Sequence, residues 1–274
     1  MKPERNNKDN FRRGNREGYR RPEPREEVEE NENQLEGRNA LTEALRSGRT
    51  IDKVFIAAGN TDRALEHLAA EAKKAGAVVV PVDRRKLDAM STTRSHQGVI
   101  ALAAAREYCS IDDILQEAAD RGEVPLIIIC DELSDPHNLG AILRTAECSG
   151  AHGVIIPKRR SAGLTAIVAK TSAGAVSHLP VARVPNLVSL LKELKEQGLW
   201  IGACDMDGTE YYEAKLTGPI GLVVGGEGQG VSRLVREHCD FILSIPMVGK
   251  ISSLNASNAA AILMYETFRQ RAGK

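Results

Sequence analysis

The residues best suited to chemistry lie in polar loops, and the richest of these loops is the segment 246–257. Pro246 ends the short apolar strand predicted for 241–245, because proline has no N–H group to donate to a neighbouring strand. An apolar helical pattern follows over 259–268, and three residues of favoured N-cap types precede it: Ser253, Asn255 and Ser257. A strand that leads through a polar loop into a helix leaves backbone donors and acceptors free for a small polar ligand. Taken alone, the segment is equally consistent with an ordinary capped helix.

A second loop, Gly-Gly-Glu-Gly-Gln-Gly at 225–230, follows an apolar strand predicted for 221–224. It is a candidate phosphate-binding loop, but no Lys-Ser or Lys-Thr pair follows it. Glu227 also occupies the position of the second glycine in a dinucleotide-binding Gly-x-Gly-x-x-Gly motif. Because a carboxylate repels phosphate, the loop favours a ligand that is neutral or cationic where it meets the glycines.

A third polar segment, 131–144, follows the continuously apolar segment 126–130, which is typical of a strand covered on both faces. The segment leads into a helix predicted through Cys148, and Arg144 is expected about two turns into that helix. From residue 124 onward, short apolar strands alternate with helical patterns, and this order predicts an α/β fold with a mostly parallel sheet. Ligands in open α/β sheets bind at the carboxyl ends of the strands. Because all three polar loops follow buried strands, we expect them to converge on one site.

The region 35–108 predicts a separate, smaller α/β domain, with short strands and helices alternating over about 70 residues. Its polar and basic segment 91–98 is either an RNA-binding loop or a solvated connection. A polar helical segment at 109–123 is predicted to link this domain to a second domain at 124–274.

The first 34 residues differ from the rest of the chain, because Arg, Asn and Glu dominate them. A segment this polar cannot offset the entropy of ordering by burial, so 1–34 is predicted to be a disordered tail. Its basic first part, through Arg25, is consistent with non-specific RNA contact and equally with a solubilising tail.

Composition narrows the classes of protein that the chain can represent. The 274 residues carry 37 basic and 37 acidic side chains, and at 42% hydrophobic residues the chain can bury a substantial core. Five widely spaced cysteines without a Cys-x-x-Cys pair argue against a zinc site or a disulfide framework, and they fit a reducing cytoplasm. No apolar run is long enough to span a membrane and no signal peptide opens the chain. We therefore expect a cytoplasmic protein that needs neither a metal nor a membrane.

Three motifs stand in the polar loops, in this order: Asp135-Pro136-x-Asn138-x-Gly140-x-x-x-Arg144, Gly225-Gly226-Glu227-Gly228-x-Gly230 and Ile245-Pro246-Met247-x-Gly249-x-x-Ser252-Ser253-Leu254-Asn255-x-Ser257. Together they resemble the signature motifs of the SpoU/TrmH group of SPOUT RNA ribose 2′-O-methyltransferases. Two segments of the preceding region resemble the small substrate domain of bacterial 23S rRNA (guanosine-2′-O-)-methyltransferases: Leu35-Glu36-Gly37-Arg38-Asn39-Ala40 and Ser95-His96-Gln97-Gly98. The tRNA-acting branch typically lacks that domain, so the resemblance favours the ribosomal branch.

The resemblance implies a fold, a cofactor and an assembly. The fold is an α/β SPOUT domain with a deep trefoil knot and a mostly parallel sheet, preceded by a small α/β RNA-binding domain. The implied cofactor is S-adenosyl-L-methionine, bound at the carboxyl end of the sheet, and the implied assembly is a homodimer through the SPOUT domain. Three residues match the cofactor-binding positions: Gly225, Ile245 and Leu254. Five match the catalytic set: Asn138, Arg144, Glu227, Ser253 and Asn255.

The function implied is 2′-O-methylation of a guanosine ribose in 23S rRNA or its precursor, with no role for DNA. A tRNA guanosine ribose methyltransferase is the first alternative, and a non-catalytic RNA-binding factor of ribosome assembly is the second. Because arginine keeps its proton beyond about pH 12, we expect Arg144 to pair with phosphate and stabilise alkoxide charge rather than act as a base. We expect dimerisation through the helix at 259–268, with Leu263 and Met264 in the contact.

Overall fold

The computed structural model describes residues 33–59, 62–226, 228 and 230–273. The predicted tail at 1–34 therefore lies almost wholly outside the described residues. Within them the chain forms ten strands: β1 Gln34–Glu36, β2 Ile51–Ala57, β3 Val78–Val82, β4 Val99–Ala103, β5 Leu126–Asp131, β6 Gly153–Pro157, β7 Val181–Val184, β8 Trp200–Glu210, β9 Ile220–Gly225 and β10 Phe241–Ser244. It also forms nine α-helices: α1 Arg38–Arg46, α2 Arg63–Lys74, α3 Arg84–Met90, α4 Ile111–Asp120, α5 Pro136–Cys148, α6 Ala166–Thr171, α7 Leu187–Glu196, α8 Arg233–Glu237 and α9 Ala256–Arg271.

The first four strands form a small mixed sheet in the order β1-β4-β2-β3. Strands β2 and β3 are parallel, whereas β4 runs antiparallel to both β1 and β2. Helices α1 and α2 bury Leu41 and Leu65 against this sheet, beside Val54 of β2. Strand β1 was not predicted, because three residues are too few to show a period of two.

The remaining six strands form one parallel sheet in the order β10-β8-β9-β5-β6-β7. The predicted parallel α/β fold is confirmed. Strand β5 is central and buried along its whole length, which explains why Leu126–Asp131 is apolar at nearly every position. Separate hydrophobic clusters cover the two faces of the sheet. The trefoil knot and the division into domains at 109–123 stay predictions.

Two helix boundaries differ from the sequence pattern for local reasons. The small-residue pattern at 164–176 predicts one helix, but the structure divides this segment into α6 and a 3₁₀ turn at Ala175–Ser177, and Gly174 precedes that turn in the left-handed conformation at φ +89°. The sequence also predicts a helix over 61–75 with Thr61 as its cap. Thr61 lies outside the described residues, and the cap of α2 is Asp62, whose carboxylate accepts a hydrogen bond from the Ala64 N–H at 2.9 Å. No helix of the described ranges is both long enough and apolar enough to cross a bilayer.

A buried ion pair joins the two sheets, and we call it the interface ion pair. Arg183 of β7 donates from Nη1 to Asp52 Oδ1 of β2 at 2.6 Å, and both side chains are buried. Tyr108 also donates to Asp52 Oδ1, at 2.7 Å. Gly163 packs so closely here that an added Cβ would lie 2.2 Å from Asp52 Oδ2. The contact therefore requires residues from four separate parts of the chain.

Candidate active site

A cleft of about 240 Å³ opens at the carboxyl edge of the parallel sheet, where β8, β9 and β10 end. Residues of both the 225–230 loop and the 246–257 loop line it. The three residues predicted to bind a cofactor, Gly225, Ile245 and Leu254, all lie in this lining, and so does Ser253. The structure thus brings together, in one cavity, four residues that are up to 29 positions apart in the chain.

Backbone packing accounts for the glycines of the 225–230 loop. A Cβ added to Gly225 would lie 2.0 Å from the carbonyl carbon of Gly230, and one added to Gly226 would lie 2.5 Å from the Glu132 carbonyl oxygen. Gly228 and Gly230 have φ values of +86° and +63°, in the region that favours glycine. The loop is therefore folded tightly on itself and against the segment that follows β5. The predicted catalytic residue Glu227 lies outside the described residues.

Two helix N-termini meet beside the cleft. Asn138 is buried in the first turn of α5, and its Oδ1 accepts a hydrogen bond from Asn255 Nδ2 at 2.9 Å. Asn255 is the N-cap of α9, because its Oδ1 accepts from the Ser257 N–H at 2.9 Å. Its neighbours Leu254 and Ala256 both line the cleft. Since helix N-termini carry partial positive charge, this junction favours negative charge at the edge of the cleft.

Arg144 lies apart from these residues. It is exposed on α5, it does not line the cleft, and it has no hydrogen bond or ion pair with any residue that the structure describes. His137, in the first turn of α5, is also exposed, and its Nδ1 lies 3.4 Å from Thr171 Oγ1. The structure therefore unites Asn138 with Asn255 but leaves the Arg144 guanidinium available to a binding partner.

Sequence reasoning missed one wall of the cleft, which the middle of β8 supplies through Cys204, Asp205 and Met206. The Asp205 carboxylate is paired with Arg236 Nε at 2.9 Å. Burial, with the neighbouring Asp205, raises the pKa of the Cys204 thiol to about 11, so this sulfur stays protonated near neutral pH. The sequence does carry a signal for this wall, namely the polar run at 205–208 directly after buried strand residues.

A second polar surface, the segment 91–98, is held in shape by one carboxylate. Glu36 accepts hydrogen bonds from the hydroxyls of Ser91, Thr92 and Thr93 and from two backbone N–H groups. Burial acts to raise the pKa of Glu36, but these hydrogen bonds outweigh it, and the pKa lies well below its usual range. Arg94 is exposed with a left-handed backbone at φ +57°. The fixed loop thus presents a cation to solvent, and its contact with RNA stays a prediction.

No cluster of three or more His, Cys, Asp or Glu side chains that is suited to a metal ion occurs in the part of the chain that the structure describes. The cleft lining is of a different kind. It combines apolar side chains, among them Val224, Ile245 and Leu254, with glycine backbone and the serines at 252 and 253. Such a mixture suits an organic ligand that has both apolar and hydrogen-bonding parts.

Two family models match this chain. The SpoU rRNA Methylase family model matches residues 125–265, and the model described as RNA 2'-O ribose methyltransferase substrate binding matches residues 34–109. Among curated proteins, the chain is 48% identical to YacO of Bacillus subtilis (strain 168), a protein assigned to the TrmH family of tRNA/rRNA methyltransferases. That alignment spans 86% of this chain and 94% of YacO.

Solved structures show the same fold. The SpoU methyltransferase AviRb from Streptomyces viridochromogenes, crystallised with AdoMet, aligns over 88% of this chain and 91% of its own, with a TM-score of 0.55 and 24% identity. The TrmH/SpoU tRNA modifying enzyme of A. aeolicus is 31% identical with a TM-score of 0.51, and it covers 55% of this chain and 77% of its own. From the match over 125–265 and the identity to YacO, the chain belongs to the SpoU rRNA methylase family.

Proposed function

We propose that this protein transfers the methyl group of S-adenosylmethionine to a ribose 2′-hydroxyl of RNA. The sulfur–methyl bond breaks as the oxygen–methyl bond forms, S-adenosylhomocysteine leaves as a neutral thioether, and the hydroxyl proton passes to water. The observation that carries the proposal is the junction of Asn138 and Asn255 at the rim of the cleft. A donor site and a site that favours negative charge lie side by side, as transfer from a cationic donor to a developing alkoxide requires.

The cleft fits S-adenosylmethionine in its chemistry. Ile245 and Leu254 would contact the apolar parts of the cofactor, and the backbone of the 225–230 loop, which begins at Gly225, would supply hydrogen bonds. In the described lining there is no Lys or Arg, so nothing there repels a positively charged sulfur. The cofactor, when bound, supplies an electrophilic methyl group. The AviRb structure with AdoMet supports this assignment through the shared fold.

The acceptor needs help because a ribose hydroxyl is a poor nucleophile near neutral pH. The amide groups of Asn138 and Asn255 orient the hydroxyl, Ser253 offers its own hydroxyl from the cleft lining, and the two helix N-termini stabilise charge developing on the oxygen. Arg144, exposed on the same helix as Asn138, pairs with a phosphate of the RNA. Glu227, the acidic residue of the 225–230 sequence, balances the positive charge of the sulfonium group of S-adenosylmethionine.

We propose 23S rRNA or its precursor as the substrate and guanosine as the nucleoside. The observation that favours rRNA is the substrate-binding match at 34–109, because the tRNA modifying enzyme of A. aeolicus matches only 55% of this chain. A tRNA guanosine methyltransferase is the second candidate, because the name of YacO includes tRNA as well as rRNA. A non-catalytic assembly factor would bind RNA without needing the paired Asn138 and Asn255.

We also propose a homodimer through α9. Tyr265 and Phe268 are each 48% exposed, and their rings meet edge to face with centroids 6.1 Å apart. Exposed aromatic pairs of this size are typical of protein interfaces. Leu263 and Met264, expected in the contact, are instead fully buried inside the chain. Helix α9 turns the side chains of Leu263 and Met264 towards the core, so the expectation that they form the dimer contact was wrong. Tyr265 and Phe268 take their place in the proposed contact.

We further propose that the enzyme works in the cytoplasm. All five cysteines are free thiols. Burial, and to a smaller extent nearby carboxylates, raises the pKa of the Cys130 thiol and of the Cys239 thiol to about 12. Both thiols therefore stay protonated and are slow to oxidise. Fractionation of cells that produce the protein tests this, and enrichment in an oxidising compartment would contradict it.

Two measurements test the proposed function. Calorimetric titration should show binding of S-adenosylhomocysteine and no binding of ATP, and Leu254→Asp should weaken binding at least about tenfold by placing a charge in an apolar wall. Incubation with radiolabelled S-adenosylmethionine should label a 23S rRNA transcript in preference to tRNA. Binding of ATP in place of S-adenosylhomocysteine, or no labelling of either RNA, would contradict the proposal.

A further inference from the structure

A groove of about 790 Å³ lies between the two sheets, at the same edge of the parallel sheet as the cleft. One wall is α2 with the start of β3, and the other is formed by the residues that directly follow β6 and β7. We propose that this groove binds the sugar–phosphate backbone of the RNA beside the nucleotide to be methylated. The proposal rests on the proposed function and adds to it a binding surface to which residues of both sheets contribute.

Charge is the first support. Lys73 projects from one wall, and Lys158 and Arg159 project from the other. Among the described residues that line the groove there is no carboxylate, and none of these three cations has an ion-pair partner in the described part of the chain. Surface cations usually lie near acids, so three unpaired cations in one groove create a positive potential that attracts a polyanion.

Position is the second support. Arg160, the residue after Arg159, pairs with Glu132 at 2.7 Å, and Glu132 lies against Gly226 of the cleft loop. The basic segment 158–160 therefore borders the segment that leads into α5 and Asn138. A strand of RNA whose ribose lies at Asn138 is led along this segment towards Lys73.

Rigidity is the third support. Arg183 of the interface ion pair donates from Nη2 to the carbonyl oxygens of Asp52 at 3.1 Å and of Lys158 at 3.2 Å. One buried guanidinium thus joins the backbone of Lys158 to strand β2 of the small sheet. Lys158 Nζ reaches across the groove, since a Cβ added to Gly76 would lie 3.6 Å from it. The backbone that carries Lys158 is therefore fixed before RNA arrives, which lowers the entropic cost of binding at this position.

The lining also indicates which part of the RNA is bound. Its floor consists of small and aliphatic side chains, among them Ala69, Ala77 and Val79, and the described lining has no aromatic ring on which a base stacks. Lysine and arginine bind phosphate by charge, and the floor suits the apolar faces of ribose. The groove therefore adds affinity without reading sequence.

The test measures RNA affinity as a function of salt for Lys73→Gln, Lys158→Gln, Arg159→Gln and the triple variant. Each single variant should weaken binding about threefold and lower the slope of log K against log salt by about 0.7, and the triple variant should lower it by about 2. Binding of S-adenosylhomocysteine and the single-turnover rate at saturating RNA should not change. Lys158→Arg, which keeps the charge, should bind like wild type.

Lys215→Gln is the matched control. Lys215 is exposed and unpaired within the described residues, but it lies beside Trp200 and Ile220, the first residues of β8 and β9, at the opposite edge of the sheet. Its removal should leave the salt slope within error of wild type. Unchanged affinity and slope in the triple variant, with methylation by wild type intact, would overturn the groove proposal alone. Wild type that binds RNA through the groove yet transfers no methyl group would overturn the proposed function and keep the groove.

Discussion

The interface ion pair is expected to contribute measurably to the free energy of unfolding. Arg183→Met removes the guanidinium that pairs with the buried Asp52 carboxylate and also removes hydrogen bonds to two carbonyl oxygens. Leaving a buried charge without its partner costs about 3–5 kcal/mol, and each hydrogen bond from a charged donor such as this guanidinium contributes about 1.5–3 kcal/mol. We therefore expect the free energy of unfolding to fall by at least about 4 kcal/mol in urea titrations followed by circular dichroism.

The double variant Asp52→Leu/Arg183→Met separates the charge from the shape. With both charges gone, most of the lost free energy should return, because no buried charge remains. Arg233→Met is the control, since Arg233 pairs with Glu237 at 3.5 Å on an exposed helix face and is expected to change stability by less than about 0.5 kcal/mol. A loss below about 1 kcal/mol for Arg183→Met, or a double variant no more stable than the single one, would show that the ion pair does not stabilise the fold in this way.

Three further predictions concern catalysis, assembly and pH. Arg144→Ala should slow single-turnover methylation by about a hundredfold or more without changing the Kd of S-adenosylhomocysteine, and Arg144→Lys should be nearly as slow because a point charge does not replace the planar guanidinium; loss of cofactor binding would contradict this role. Tyr265→Glu or Phe268→Glu should give a folded monomer in sedimentation, whereas Leu263→Glu should lower the Tm by more than about 5 °C because that side chain is fully buried; persistent dimers would move the interface elsewhere. Glu36→Ala should cost about 2 kcal/mol at pH 7. Because the folded pKa of Glu36 is lowered, this contribution is complete above the ordinary pKa near 4.3 and is lost as the pH falls below it, so an equal Tm difference between wild type and variant at pH 7 and at pH 3 would disprove the assignment.

The convergence of the three polar loops was predictable from the chain alone. Parallel strands end at one edge of a sheet, so loops that follow buried strands must gather there. Gly225, Ile245, Ser253 and Leu254 accordingly line one cleft. The glycines of 225–230 were noticed as a pattern, but only the structure shows that Gly226 is small because the Glu132 carbonyl lies against it.

Contacts between distant residues were not predictable. Asp52 and Arg183 are 131 positions apart, and neither stands in a motif, so no local pattern marks them as partners. The same holds for the groove, because Lys73 lies on helix α2 and Lys158 follows strand β6, 85 positions later in the chain. Asp205 was missed for another reason: β8 continues to Glu210, beyond the apolar run that marks a strand, so its polar end resembled a loop. Arg144 was located on the correct helix, but its isolation on an exposed face depends on how α5 packs.

The proposed function depends most directly on which atom of the RNA receives the methyl group. We would incubate the protein with 23S rRNA and labelled S-adenosylmethionine, then hydrolyse the RNA in alkali and analyse the nucleosides by mass spectrometry. A methyl group on the ribose 2′-oxygen blocks alkaline cleavage at that nucleotide. We therefore expect the label in an alkali-stable dinucleotide that yields 2′-O-methylguanosine. Asn138→Ala and Asn255→Ala should both reduce that label. Label on a base, in mononucleotides that alkali releases, would contradict the account.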